Sequence, residues 1–180
     1  RMGSLVFKSE RIILRVLEPE DLTYLRAVEN NPEFWTISNT VQPFSKFTLA
    51  QYIDQAHQDI YECKQQRWVI CSIDDHRILG FLDLFDFDPR NARVGLGIVI
   101  SNSQDRGCNF ASDALVLMIK YCFEHLYVRQ IFVNILTDNT PSIKLFSKFG
   151  FELVGVKKQW IRVKDQFKDE ALYQLIQHNL

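Results

Sequence analysis

A mixed α/β sheet with helices on both faces is predicted by three features of this 180-residue chain. Apolar, β-branched runs recur at 11–16, 67–73, 78–87, 94–100, 130–137, 151–156 and 169–177. Segments with helical apolar spacing fall between them, in the order βαα-βββ-αβ-αββ, which suits a mixed sheet covered on both sides. No internal repeat, low-complexity tract or linker divides the chain, so one domain is expected.

Composition narrows the class. Hydrophobic residues make up 47% and charged residues 24%, as in ordinary globular domains. A formal charge of −1 offers no electrostatic reason for nucleic acid or an anionic membrane as partner. No apolar run approaches the roughly 18 residues that span a bilayer. Cys63, Cys71, Cys108 and Cys122 lack CxxC spacing. Four buried-type thiols in a reducing cytoplasm are therefore expected, with neither disulfides nor a metal site. Residues 1–4 read as a start outside the domain, which is expected to span 5–180.

Arg11 to Val16 is the first strand. Pro19, Glu20 and Asp21 suit the first turn of a helix, whose stripe continues through Leu22, Leu25 and Val28. Asn30, Asn31 and Pro32 stop it. Glu33, Phe34 and Trp35 lie in an irregular segment up to Phe47, for which a binding rim and a packed lid are equal readings. A second helix is predicted from Thr48, with Gln51 completing a capping box and Leu49, Tyr52, Ile53, Ala56 and Ile60 facing the core. Asp74 to Arg77 join the strands 67–73 and 78–87 as a hairpin. Asp83 and Asp86 interrupt the second of these strands, and carboxylates there belong at an edge or facing a cleft.

The segment Ala92 to Leu117 organises the rest. Strand Val94–Ile100 passes through a polar loop, Ser101 to Asp105, into Arg106, Gly107, Cys108 and Asn109, and a long apolar helix opens near Phe110 and Ala111. A strand turning tightly into a helix leaves N–H groups unpaired at the positive end of the dipole, where an anion can bind. An ordinary strand-to-helix connection accounts for this stretch equally well. Asp113, Lys120 and Glu124 are the polar stripe of a helix otherwise apolar nearly all round, so that helix is expected to be central. After the strand 130–137, Thr140 and Pro141 read as cap and first turn of a shorter helix that Gly150 ends. The strands 151–156 and 169–177 are expected to be joined by a polar connection containing Trp160 and Arg162.

Arg106–Gly107–Cys108–Asn109–Phe110–Ala111 after a strand, then Asn139–Thr140–Pro141–Ser142 and Leu145–Phe146–Ser147–Lys148–Phe149–Gly150–Phe151, resemble the GNAT acetyltransferase superfamily. The likeness covers nearly the whole chain. It is strongest toward the branch holding ribosomal-protein N-terminal alanine acetyltransferases and bacterial spermidine acetyltransferases. The resemblance implies a mostly antiparallel sheet of six to seven strands, splayed between the fourth and fifth. It also implies acetyl transfer from acetyl-CoA to a primary amine: a polyamine, a protein N-terminus or another small amine. The backbone of Ile98, Val99 and Ile100 would meet the pantetheine arm, and Arg106, Gly107, Cys108, Asn109, Phe110 and Ala111 would wrap the pyrophosphate. Asn139 would reach the cofactor, with Ser142 and Phe146 one and two turns further along the same helix. Edge strands of this fold commonly pair, which leaves a homo-oligomer open.

Three positions depart from the family pattern. Asn109 stands where a central glycine belongs, and asparagine is the residue next most tolerant of positive φ. Gly95 matches the family's frequent glutamate, and Phe146 its thiolate-protonating tyrosine; neither side chain carries a proton. Three accounts follow: catalysis by positioning with water as proton carrier, an amine held or deprotonated by Glu33, Asp83 or Asp86, or acyl-CoA binding with little turnover. Acid–base groups contribute about 10²–10⁴-fold, whereas orientation supplies roughly 7–11 kcal/mol. The comparison favours an enzyme. Neither GxGxxG nor a P-loop lysine is present to support a nucleotide-binding alternative.

Overall fold

The computed structural model describes residues 6–31, 46–55 and 59–178. Its strands are β1 (Val6–Lys8), β2 (Ile12–Val16), β3 (Gln66–Ser72), β4 (Ile78–Asp88), β5 (Arg93–Ile100), β6 (Gln130–Leu136), β7 (Glu152–Val163) and β8 (Gln166–Ile176). Its α-helices are α1 (Leu22–Glu29), α2 (Lys46–Gln55), α3 (Ile60–Cys63), α4 (Phe110–Glu124) and α5 (Thr140–Lys148). The strands form one sheet in the order β1-β2-β3-β4-β5-β6-β8-β7. The ladders β1/β2, β2/β3, β6/β8 and β7/β8 are antiparallel and β5/β6 is parallel. The β5/β6 ladder holds only Arg93↔Gln130, Val94↔Ile131 and Gly95↔Phe132, so residues 96–100 lie outside it.

Among the described residues the sheet has eight strands and not six or seven. The addition is β1, three residues long and too short to show a period. It is held by pairing with β2 and by Phe7 packing on Trp68 at 5.6 Å between ring centroids.

The described residues form two compact units, one drawn from residues 1–83 with 98–117, the other from 84–97 with 118–180. In the first, Ile12, Ile13 and Leu14 of β2 and Trp68 to Cys71 of β3 are buried without alternation, as in strands covered on both faces. Ile13, Leu17, Leu25, Val28, Leu49, Ile53, Val69, Cys71 and Phe81 make one core. Burial pushes the Cys71 thiol above its ordinary value. The turn into α1 is a 3-10 helix, Pro19–Asp21, in which the Asp21 carboxylate accepts from Glu18 N at 2.8 Å and from both Arg15 Nη atoms at 2.8 Å. Helix α2 is already running at Lys46, so Thr48 is not its cap. Ile60 belongs to a separate helix, because the Asp59 carboxylate accepts from Tyr61 N at 2.8 Å and starts a new N-terminus there.

In the second unit β6 alternates cleanly, with Ile131, Val133 and Ile135 buried and Asn134 exposed. Lys164, at φ +55°, turns β7 directly into β8. Trp160 and Arg162 therefore lie on a strand and not in a connection. Register shifts between Leu153 and Gly155 and between Lys157 and Ile161 break the period of two, which erases the alternation from the sequence. Lys157 covers the Trp160 ring at 5.0 Å, and Arg162 the Phe167 ring at 4.8 Å.

One glycine sets how closely β4 and β5 approach in the first unit. A Cβ on Gly80 would lie 1.9 Å from the Val99 carbonyl oxygen. Gly80→Ala must therefore displace backbone, and it is expected to cost at least about 1–3 kcal/mol in urea denaturation. Gly97→Ala, whose Cβ would meet nothing within 4 Å, is expected to stay within about 1 kcal/mol of the parent.

Candidate active site

In the first unit, the end of β5 is fixed before the chain leaves the sheet. Ser101 N donates to Leu79 O at 2.9 Å, and Arg106 Nε donates to Ile100 O at 3.2 Å. Asn102 starts a 3-10 turn, Ser103–Asp105, by accepting from Gln104 N at 3.0 Å. Gly107 follows at φ +77° and Asn109 at φ +66°. Asparagine thus takes the left-handed conformation expected where the family pattern has glycine. Among the described residues, the N–H groups of Gly107, Cys108, Asn109 and Phe110 donate no hydrogen bond. A Cβ on Gly107 would meet nothing within 4 Å, so the turn is open from outside. Successive unpaired N–H groups across left-handed residues at the head of a 15-residue helix are the donor arrangement that suits an anion.

Ile98, Val99 and Ile100 are half-buried, whereas Arg106 to Asn109 are exposed. Cys108 is exposed and Cys63 half-buried, so only Cys71 and Cys122 are the buried thiols expected of all four. Burial pushes the Cys122 thiol up.

In the second unit, Asn139 and not Thr140 caps α5: its Oδ1 accepts from Ser142 N at 3.3 Å. That bond occupies the amide oxygen and leaves the NH₂ end available to a ligand. Phe146, 4% exposed, packs edge-on against Phe151 at 5.3 Å. The space beside Gly95 is also aromatic. A Cβ there would lie 2.4 Å from Phe85 Cε2, and Phe85 in turn packs edge-on against Phe132 at 5.6 Å. At the two positions expected to match the family's glutamate and tyrosine, this chain has a ring filling a glycine's niche and a buried phenylalanine.

The three acids proposed for the acceptor have different surroundings. Glu33 lies outside the described residues. Asp83 accepts from Arg67 Nε at 2.6 Å and Nη2 at 3.0 Å, while Arg67 Nη1 donates to buried Glu29 at 2.5 Å. The guanidinium also lies over the Phe81 ring at 5.1 Å. Asp83 is thus one end of a Glu29–Arg67–Asp83 chain. Asp86 is exposed at φ +49°, and its carboxylate has no hydrogen bond or ion pair among the described residues. Sequence reasoning missed Arg67, Glu29 and Phe85, whose partners are remote in the chain.

A turn with unpaired N–H groups between a strand and a helix, in a mixed sheet whose parallel ladder is short, belongs to a class that comparison with known proteins identifies. The acetyltransferase (GNAT) domain profile matches residues 11–152, and the chain belongs to that family, whose acetyl donor is acetyl-CoA. The chain is 27% identical over 169 residues to the uncharacterized N-acetyltransferase p20 of Bacillus licheniformis, covering 93% of this chain and 94% of that protein. It is 24% identical over 169 residues to spermidine N(1)-acetyltransferase of Escherichia coli K12, covering 92% and 86%. The crystal structure of Vibrio cholerae spermidine N-acetyltransferase, in complex with CoA and spermine, superposes with a TM-score of 0.84. That superposition covers 94% of this chain and 97% of the other, at 18% identity, and establishes a shared fold. Among the described residues no helix is long and apolar enough to cross a membrane, and no His, Cys, Asp or Glu cluster could hold a metal.

The filled niche at Gly95 is directly testable. Gly95→Glu alone is expected to lose about 1–3 kcal/mol from overpacking against Phe85. Adding Phe85→Ala to Gly95→Glu should recover part of that loss, whereas independent sites would simply add. Chemical denaturation of the two single variants and the double variant reads the coupling.

Proposed function

We propose that this acetyltransferase moves the acetyl group of acetyl-CoA directly to a primary amine, using one domain that spans residues 5–180. The observation that carries the reading is the turn Arg106–Ala111: four consecutive unpaired N–H groups, from Gly107 to Phe110, over an open face. Its chemistry fits the pyrophosphate of CoA. Bound acetyl-CoA would supply the activated thioester. Arg106, Gly107, Cys108, Asn109, Phe110 and Ala111 would hold the phosphates. The backbone of Ile98, Val99 and Ile100, beyond the last β5/β6 pair, would align the pantetheine arm. Asn139 would donate through its NH₂ end, with Ser142 on the following turn of α5.

Neither Gly95 nor Phe146 can move a proton. The rate would rest on orientation, worth roughly 7–11 kcal/mol, with water carrying the proton lost by the attacking amine to the departing CoA thiolate. Phe146, packed on Phe151, would serve by excluding water. For the acceptor we favour a cationic amine: a polyamine, a protein N-terminus or another small amine. Spermidine acetyltransferases among the relatives support this choice. So does Asp86, an exposed carboxylate with no cation of its own among the described residues. Asp83, already engaged by Arg67, offers a weaker attraction.

CoA at a hundredfold excess over Kd should raise stability by about 2.7 kcal/mol; no Tm shift at millimolar CoA would remove the assignment. Asn109→Asp should weaken CoA binding in calorimetry by placing a negative charge against phosphate, and unchanged affinity would move the phosphates elsewhere. Incubation with acetyl-CoA and an amine panel should release free thiol. Asp86→Asn should then raise KM for the cationic amine and leave CoA affinity unchanged.

A further inference from the structure

We propose that Arg77 and Arg11 are positioning residues for the phosphate turn, each cancelling an aspartate that would otherwise oppose the cofactor's charge. The inference rests on reading Arg106–Ala111 as the phosphate cradle. The local sequence is poorly suited to that task. Residues 101–113, SNSQDRGCNFASD, carry two aspartates against one arginine and are net negative. Asp105 immediately precedes the turn, and Asp113 stands in the first turn of the helix whose positive end the turn exploits. A carboxylate at either place competes with phosphate for the same field.

Both acids are matched by guanidinium forks. Arg77 Nη1 and Nη2 donate to Asp105 Oδ2 and Oδ1 at 2.8 and 3.0 Å. Arg11 Nε and Nη2 donate to Asp113 Oδ2 and Oδ1 at 2.9 and 3.1 Å, and Ser9 Oγ donates to Oδ2 at 3.2 Å. Asp105 is buried, and Arg77 holds its carboxyl below the ordinary range, so it stays ionised near neutrality and protonation cannot remove its charge. With both arginines counted, the same surface is net positive.

The arginines are presented by built features. Arg77 closes the β3–β4 hairpin: its N–H donates to Asp75 Oδ1 at 3.1 Å, and its carbonyl accepts from Ser72 N at 2.8 Å. Arg11 N and Ile12 N donate to Ser9 Oγ at 3.2 and 3.1 Å, which sets the bend that brings Ser9 and Arg11 to Asp113. The fork has a second effect at Asp105. A bidentate guanidinium occupies both carboxylate oxygens, so Asp105 cannot turn onto the neighbouring unpaired N–H groups and act as an internal anion. Side chains of this type readily take such local backbone donors when free.

Calorimetric binding of CoA and of pantetheine, which lacks the phosphates, separates this role from simple loop anchoring. Arg77→Gln should weaken CoA by about tenfold, equivalent to 1.4 kcal/mol, and leave pantetheine unchanged. Asp105→Asn should bind CoA at least as tightly as the parent. The double variant R77Q/D105N should return to within about twofold of it, because removing the acid removes the need for the base. Arg77→Lys, which keeps the charge and loses the fork, should fall between. A double variant as weak as Arg77→Gln, or an Arg77→Gln that binds CoA normally, would overturn the proposal. A parent protein that binds CoA no better than pantetheine would instead overturn the cradle reading beneath it. The parallel series Arg11→Gln, Asp113→Asn and their combination applies the same criterion to the second pair, and decides the matter should Arg77→Gln not fold.

Discussion

Backbone N–H groups can receive an anion only if nothing else takes them and the chain that carries them is held in place by other means. Self-pairing would satisfy the donors and close the site, so the support must come from outside the turn. Here it comes from the flanks. Gly80 lets the Val99 carbonyl approach β4, Ser101 N reaches Leu79 O, and Arg106 ties itself to the Ile100 carbonyl. The turn itself contributes conformation, with Gly107 and Asn109 both in the left-handed region. Asparagine can stand at such a position because its side chain is short and polar enough to tolerate the geometry.

The other half of the proposed chemistry is marked by what the side chains do not offer. Phe85 fills the space beside Gly95, and Phe146 is locked edge-on against Phe151. Phe146 and Phe151 are buried and Phe85 is half-buried, and edge-on aromatic pairs of this geometry bury apolar area in a fixed arrangement. On the proposed reading, a site bordered by these rings gains from alignment and dryness and loses the proton inventory of a tuned acid and base. The two properties are alternatives, because a glutamate at 95 and a ring at 85 would need the same volume.

Electrostatics follow a consistent rule in the first unit. Acids in or near the core are answered by arginine forks: Asp21 by Arg15, Asp83 by Arg67, Asp105 by Arg77 and Asp113 by Arg11. Guanidinium suits the task because its donors are planar and match both carboxylate oxygens at once. An acid at the head of a helix can therefore coexist with an anion site. Its charge is answered across the fold.

What the sequence determined by itself is what depends on neighbours along the chain. The periodic strands, the strand-to-helix turn at Arg106–Ala111, the start of α4 at Phe110 and the left-handed Gly150 were legible because each rests on local spacing or backbone freedom. Elements with weak local signals were not. β1 is three residues long, the bulged β7 has lost its alternation, and the helix read as continuous through Ile60 is restarted by Asp59. The partners of the acids were hidden for a different reason. Arg77 lies 28 positions from Asp105, and Arg11 lies 102 from Asp113. The ring beside Gly95 likewise reaches it only once β4 and β5 are folded. Such pairings carry no period and no motif, since they exist only when the packed chain brings distant residues within hydrogen-bonding or van der Waals reach. The composition of the candidate site could be read from the chain, but its charge balance and free volume were decided by tertiary structure.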